Sequence, residues 1–417
     1  MNRQKEVVIT GIGIVSPIGI GRKEYWDALL NGKSGIVVRE PYADFDLPIR
    51  IAGPIRNFDA KKFVKPRKAL KIMCDPIQFG CAAAGMAMED AGWERESQNP
   101  DRIGTVFGTE TFYADPDEVA SVFRRCTIDK GYQHEKWGEF AMREIQPLWM
   151  LKYLPNMAAS HISIAMDARG ASNSICQGEA SGALALVEAA GLIQRGLADT
   201  VITGGTGSQM NLAALLYRGT SALSSNVSDP EKACRPFDKQ RDGMVVAEGA
   251  AAMILESAES AAARGAKVIA RLAGWSRTFR KPEASDFGSC LSTNFQLAID
   301  NSDMSNQDIG AVNANAMGAI QFDRIEAESI QHTVGDVPVV AHKGNFGNTG
   351  PGTSMLELAA AALAIENKKL PASINNTETT DCPVNVNRVN CELDPNKAIL
   401  KSTVSSTGQI CSIILKP

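Results

Sequence analysis

A chain of 417 residues is too long for one small core and comfortable for two fused domains. Hydrophobic residues make up 44% and charged residues 22%, an ordinary globular composition. The net charge of −4 leaves no electrostatic footprint for nucleic acid or for an anionic membrane surface.

Short β-branched runs alternate with long Ala/Leu-rich stretches, the pattern of a layered α/β protein. Arg3 and Lys5 precede an apolar stretch from Val7 to Ile20 that loosely imitates a signal peptide. Thr10, Gly11, Gly13, Ser16, Pro17 and Gly19 interrupt it, so it reads as a buried strand, Val7–Ile14, running into a Gly/Pro turn. Helices are predicted over Arg22–Asn31 and Pro76–Ala91, then a strand over Arg102–Gly108. Residues 110–155 are rich in aromatic and charged side chains, fit no simple period, and read as an insertion capping the core. Next come a strand over Ser172–Ile175, a helix over Glu179–Arg195, and strands at Thr200–Gly204 and Ala250–Glu256. Positions 180–194 are apolar nearly all round, which predicts a buried central helix. A strand follows over Val268–Trp275. Residues 276–290, with Arg277, Arg280, Lys281 and Pro282, read as an exposed loop. The remaining predicted elements are strand Ala311–Ala314, helix Asp323–Thr333, strand Val337–Ala341, helix Thr353–Glu366 and strands Ala398–Ser402 and Ile410–Leu415. A strand-led unit thus begins near Val7 and again near Val268, a hint of duplication into halves over residues 1–260 and 261–417.

Nine cysteines, at 74, 81, 126, 176, 234, 290, 382, 391 and 411, show no CxxC spacing. They read as reduced, mostly buried thiols of a cytoplasmic protein. There is no HExxH and no paired Cys/His cluster, so neither a metal nor a cofactor is expected. No window approaches 18 uninterrupted apolar residues, so no transmembrane helix is expected.

Several stretches carry a family likeness from end to end of the chain. They are VVITGIGIVSPIG (7–19) with YWDALLNGKSGI (25–36), the run Asn156–Ile164, and above all RPFDKQRDGMVVAEGAAAMILE (235–256). The last is close to the pattern RPFD-x-x-RDGF-x-x-GEGA, and a match of that length is far more specific than a lone glycine motif. Together they resemble the elongating β-ketoacyl-ACP synthases. The resemblance implies a thiolase-like α/β fold of two similar αβα halves in a five-layer arrangement. It also implies a dimer, a central acyl pocket and a face that docks an acyl carrier protein. The chemistry it implies is a decarboxylating Claisen condensation. A cysteine at the start of the central helix takes the acyl chain, and two histidines stabilise the enolate.

The catalytic set departs from that pattern. On the run RGASNSICQGEASG (169–182), the family's cysteine falls on Glu179 rather than on Cys176. A helix N-terminus lowers a thiol's pKa and offers free N–H groups, so it would accept a carboxylate as an anion. A carboxylate is nonetheless a poor stand-in for a thiolate, because its acyl-enzyme would be a mixed anhydride. Cys176, three residues earlier, reads as a buried structural thiol. Asn315 takes the first histidine's place in Val312–Gly318, a register supported by Asp323 and Glu326, which match the family's acidic pair. Lys343 matches the family lysine, and Asn348 replaces the second histidine five residues on. His342 is set aside on the expectation that it lies on a strand facing away from Lys343; His134, His161 and His332 read as structural or exposed. Thr403 stands where the family has the first aromatic of its gating loop. Asparagine donates a hydrogen bond but cannot cycle a proton near neutral pH.

The leading expectation is a non-condensing partner subunit, resembling the chain-length factors that pair with an active ketosynthase. Its partners would be that synthase in a heterodimer, or a second copy in a homodimer, together with an acyl carrier protein. Glu179 would be held by the helix N-terminus and by Lys343 or the two asparagines. A second expectation is an enzyme of altered chemistry on acyl-ACP thioesters, with Glu179 as base and Asn315 and Asn348 binding a carbonyl oxygen. A third is an ordinary 3-oxoacyl-ACP synthase working through Cys176.

Overall fold

In a computed structural model the described residues are 5–39, 50–93, 99–129, 131–219, 221–379 and 381–417. Strand β1, Val7–Ser16, is buried at all ten positions, because it lies mid-sheet with elements on both faces. Gly11 and Gly13 are required there. After helix α1, Arg22–Leu30, comes helix α2, Asp75–Asp90, and a Cβ on either glycine would fall within 2.2 Å of one of its backbone oxygens, Ala87 O or Ala83 O.

In the first half, β2 is Ile103–Gly108, β3 Ser172–Ile175, β4 Thr200–Ser208 and β5 Glu248–Ser257. In the second, β6 is Ala270–Phe279, β7 Ile309–Asn313, β8 Pro338–Val340, β9 Asn385–Val386, β10 Ala398–Val404 and β11 Gln409–Lys416. The sheet runs β9-β8-β7-β10-β11-β6-β1-β5-β4-β2-β3. Its two sides repeat one order: β3-β2-β4-β5-β1 mirrors β8-β7-β10-β11-β6, with β9 added at one edge. The pairing repeats too. β2 is parallel to β3 and β4, and β5 is antiparallel to β4 and β1; β7, β8, β10, β11 and β6 do the same. The halves join where β1 meets β6 antiparallel, Val7 opposite Leu272.

The helices fall into three layers around these strands. Helices α2 and α5, Met157–Met166, cover the outer face of the first half. Helices α6, Ser181–Gln194, and α9, Pro351–Asn367, share the central core. Helices α7, Phe287–Asp300, and α8, Ile320–Val334, cover the second half's outer face. Strand alternation feeds these layers: Ile413 and Leu415 of β11 join the central core, while Ile410 and Ile414 join the outer one. This is the expected five-layer, thiolase-like arrangement.

Two readings of the sequence are corrected. Residues 276–290 are not a loop, since β6 runs on to Phe279, paired with Gln409, and α7 begins at Phe287. The basic residues there mark only its exposed face and a short turn. Residues 110–155 contain two regular helices, α3 (Pro116–Cys126) and α4 (Trp137–Glu144). Asp115 caps α3 by accepting from the Asp117 N–H, with Pro116 at the first position, and that Asp-Pro pair is the signal that could have found it. No helix among the described residues is long and apolar enough to cross a membrane.

Candidate functional site

The end of β3 turns into α6 through a tight elbow. Gly178 takes a positive φ of 58° there, a backbone conformation that favours glycine. A hydroxyl fixes the turn: Gln177 N donates to Ser181 Oγ at 2.7 Å, and Ser181 Oγ donates to Gly178 O at 2.6 Å. This places Glu179 in the single turn Gly178–Ala180 that leads into α6, where it is 4% exposed. Its Oε2 accepts from Ser406 N at 3.1 Å and Ser406 Oγ at 3.2 Å, in the loop joining β10 to β11. Cys176 is exposed in the chain, not buried as expected; its Sγ lies 3.4 Å from Thr109 Oγ1. β3 is the last strand of the sheet, so its end carries Cys176 to the surface. Of the other cysteines, Cys74, Cys81, Cys234, Cys382 and Cys411 are pushed up to about 12, mainly by burial, and are thiols rather than thiolates.

The second half supplies the remaining residues from strand ends. Asn315 follows β7 and is 2% exposed. Its N–H donates to Glu326 Oε1 at 2.8 Å, and its carbonyl accepts from Lys343 Nζ at 2.7 Å. Its amide Nδ2 is buried with no hydrogen-bond partner among the described residues. Asp323 accepts from the Phe237, Met317 and Gly318 N–H groups, each at 3.0 Å. Burial raises both acids, Glu326 and Asp323, above their usual range. Part of the 235–256 run is thus explained: its Phe237 N–H is tied to α8 through Asp323. Another part pairs with the Asn348 backbone, which donates to Val245 O and accepts from Ala247 N, both at 2.8 Å. The Asn348 side chain is turned inward on its own loop. Its Oδ1 accepts from Gly350 N at 2.9 Å and Thr353 Oγ1 at 3.2 Å, and its Nδ2 reaches Met244 Sδ at 3.3 Å.

Lys343 does not reach Glu179, and neither asparagine bonds to it, contrary to expectation. Lys343 Nζ instead pairs with Glu357 Oε1 of α9 at 2.8 Å, in full burial. Glu357 Oε2 lies 2.9 Å from Lys401 Nζ of β10. Burial alone would raise Glu357, yet the two ammonium groups hold it below the usual carboxylate range. Sequence reasoning did not single out Glu357 and Lys401. Each is a lone charge in an apolar run, Lys401 in AILKSTV and Glu357 among the leucines and alanines of α9, and that isolation was the available signal. His342 is not on a strand, as was assumed. It precedes the short helical turn Lys343–Phe346, fully buried within range of the same charges, and burial pulls it down to about 4. His161 is buried, while His134 and His332 are exposed. Thr403 sits within β10, opposite Cys411, at 1% exposure. It belongs to a paired strand rather than to a glycine-rich loop.

Known proteins share this sequence pattern and fold. The profile described as "Beta-ketoacyl synthase, N-terminal domain" matches residues 4–261, and "Beta-ketoacyl synthase, C-terminal domain" matches 276–377. The chain is 31% identical over 413 residues to 3-oxoacyl-[acyl-carrier-protein] synthase 2 of Staphylococcus aureus, covering 95% of this chain and 93% of that one. It is 30% identical over 381 residues to the protein so named in Vibrio cholerae, covering 89% of each. Among solved structures it resembles a type II polyketide acyl-carrier protein complexed with its ketosynthase bound to the hexaketide (TM-score 0.86, 25% identity, 99% of each chain). A β-ketoacyl synthase from Burkholderia phymatum (TM-score 0.89) and the ishigamide ketosynthase/chain length factor (0.87) share the fold at 24% identity, again over 99% of each chain.

Proposed function

The chain belongs to the β-ketoacyl synthase family, the ketosynthase-like proteins of fatty acid and polyketide biosynthesis, and on that premise we propose that it is a non-condensing partner of an active ketosynthase. One observation carries the reading. The residue at the elbow before the central helix is Glu179, a buried carboxylate bonded to Ser406, where condensation needs an accessible thiolate. Asn315 and Asn348 replace the two histidines and supply no group that titrates near neutral pH. Thr403, held in β10, replaces the gate. Lys343 and Glu326 stay as framework around Asn315.

Two surfaces suit the partners of that role. β3 ends the sheet with a free edge, and Met142, Met150 and Ile164 are exposed large apolar side chains of the same half, a combination suited to a second subunit. Lys61, Lys62, Lys65, Arg67, Lys68 and Lys71 are exposed without an ion-pair partner among the described residues, a cationic face for an anionic carrier protein.

The test is to express the chain with a co-encoded synthase that keeps the Cys-His-His set. A stable one-to-one complex is expected, with no acyl transfer from labelled acyl-ACP onto the chain alone. Acyl transfer onto the isolated chain, abolished by Cys176→Ala, overturns the proposal. The unpartnered Asn315 Nδ2 favours a second reading, in which Glu179 is a base and the amide binds a carbonyl oxygen. An activity of the isolated chain lost in Glu179→Gln would select it.

A further inference from the structure

Strand β10 aims Ile399, Lys401 and Thr403 at the central layer, where Ile399 joins the apolar core. A lysine is out of place there, and Lys401 is fully buried. Its Nζ meets three oxygens: Glu357 Oε2 at 2.9 Å, Ala314 O at 3.5 Å and Ser402 O. Burial lowers the pKa of the Lys401 ammonium, and the Glu357 carboxylate at 2.9 Å opposes that by favouring the charged form. These oxygens come from three segments: the end of β7, the strand β10 and helix α9. Lys343 then takes the other oxygen of Glu357 and the carbonyl of Asn315. Successive carbonyls, Ala314 and Asn315, are thereby held by two ammonium groups sharing one carboxylate.

We infer that Lys401 serves as an internal monovalent cation, its ammonium filling a cage of oxygen ligands that fixes the segments bearing Asn315 and Thr403 against α9. It is a positioning residue and touches no reacting atom. The inference does not depend on the function proposed above, because it concerns how the centre is held rather than what binds there. Shortening the side chain to alanine would leave the cage intact and empty of charge, open to a small monovalent cation from solution. Lengthwise replacement by methionine would fill the space without charge and leave nothing to rescue.

The experiment is thermal unfolding of the full chain at constant ionic strength, exchanging tetramethylammonium chloride for potassium or methylammonium chloride. Lys401→Ala is expected to lose Tm in tetramethylammonium and to recover most of the loss, saturably, in one of the smaller cations. The parent and Lys401→Met should not respond, and Lys401→Met should stay low throughout. A Lys401→Ala protein no more cation-responsive than the parent, or a Lys401→Met protein as stable as the parent, overturns the inference. Should Lys401→Ala not fold, the charge is read in the parent. A slowly exchanging lysine ammonium signal in ¹⁵N spectra at neutral pH, missing from Lys401→Arg, is expected; without such a signal the inference falls.

Discussion

The two halves repeat one strand order, yet the buried glutamates beside their central helices are set in different ways. Glu179, at the start of α6, sits on an elbow shaped by Gly178 and the Ser181 hydroxyl, and it accepts two bonds from Ser406. Glu357, within α9, is shared between the ammonium groups of Lys343 and Lys401. Topology was duplicated, but Ser406 bonds to one glutamate while Lys343 and Lys401 flank the other. Ser406 brings two hydrogen bonds from a loop to the first centre, each contributing about 1 kcal/mol net. The second depends on charges that are costly to bury and costlier to strand.

The sharpest way to break the comparison is Glu357→Gln. It leaves two buried ammonium groups without their shared counter-charge, and the expected loss is about 3–5 kcal/mol. Denaturant unfolding should show it as a large fall in midpoint. If Glu357→Gln unfolds no more easily than Ser406→Ala, the contrast between the two centres is wrong.

His342 gives the next effect and ties the second centre to pH. Burial holds it at about 4, against an ordinary value of 6.5, with Glu357, Lys343, Lys401 and the Asn345 side chain around it. The unfolded chain therefore takes up a proton first as pH falls. Stability is full above about 6.5 and is lost progressively towards 4, by about 3 kcal/mol in all. Comparing the pH dependence of unfolding in the parent and in His342→Gln isolates this contribution, because other acids titrate alike in both. A variant with the parent's slope would remove His342 from the account.

Much of this architecture was legible in the sequence because both faces of its central strands are apolar. Val7–Ser16 and Gln409–Lys416 announce themselves in that way, whereas the edge strand Ser172–Ile175 is polar and partly exposed. Strand ends were less legible. β4 continues through Gly204, Gly205 and Gly207 to Ser208 because β5 pairs with it there, and the glycines hide that extension from any local reading. Helix α7 was missed because Arg277, Arg280 and Lys281 dominate the window before Phe287, Leu291 and Phe295 begin to repeat. The proposed site residues Glu179, Asn315, Lys343 and Asn348 were picked out by their recognisable flanks. Their bonding was not foreseeable, since Lys343 had several acceptors within plausible reach and only the fold chooses Glu357. Lys401 shows the same limit: a lone charge acquires meaning only when distant segments converge on it.

The central layer allows a substitution that touches neither glutamate. Gly182 in the first turn of α6 lies against α9, and a Cβ there would meet Met355 Cγ at 2.6 Å and Pro351 O at 2.7 Å. Gly182→Ala must part the two helices slightly, at about 1–3 kcal/mol, since backbone cannot yield as a flexible side chain does. The loss should add to that of a distant surface change but not to that of Glu357→Gln, because both act on α9. Full additivity would mean that the halves behave independently at their centre.

The smallest effect sharpens the first half alone. Ser406→Ala removes the hydroxyl bond to Glu179 and keeps the backbone N–H, so about 1 kcal/mol is expected in unfolding measurements. The same substitution in Glu179→Gln should cost less than in the parent, because a carboxylate gains more than an amide oxygen from each donor. That coupling, read from a double-mutant cycle, distinguishes a Ser406 hydroxyl that serves the carboxylate from one that only fills the loop. In the second case the two losses add.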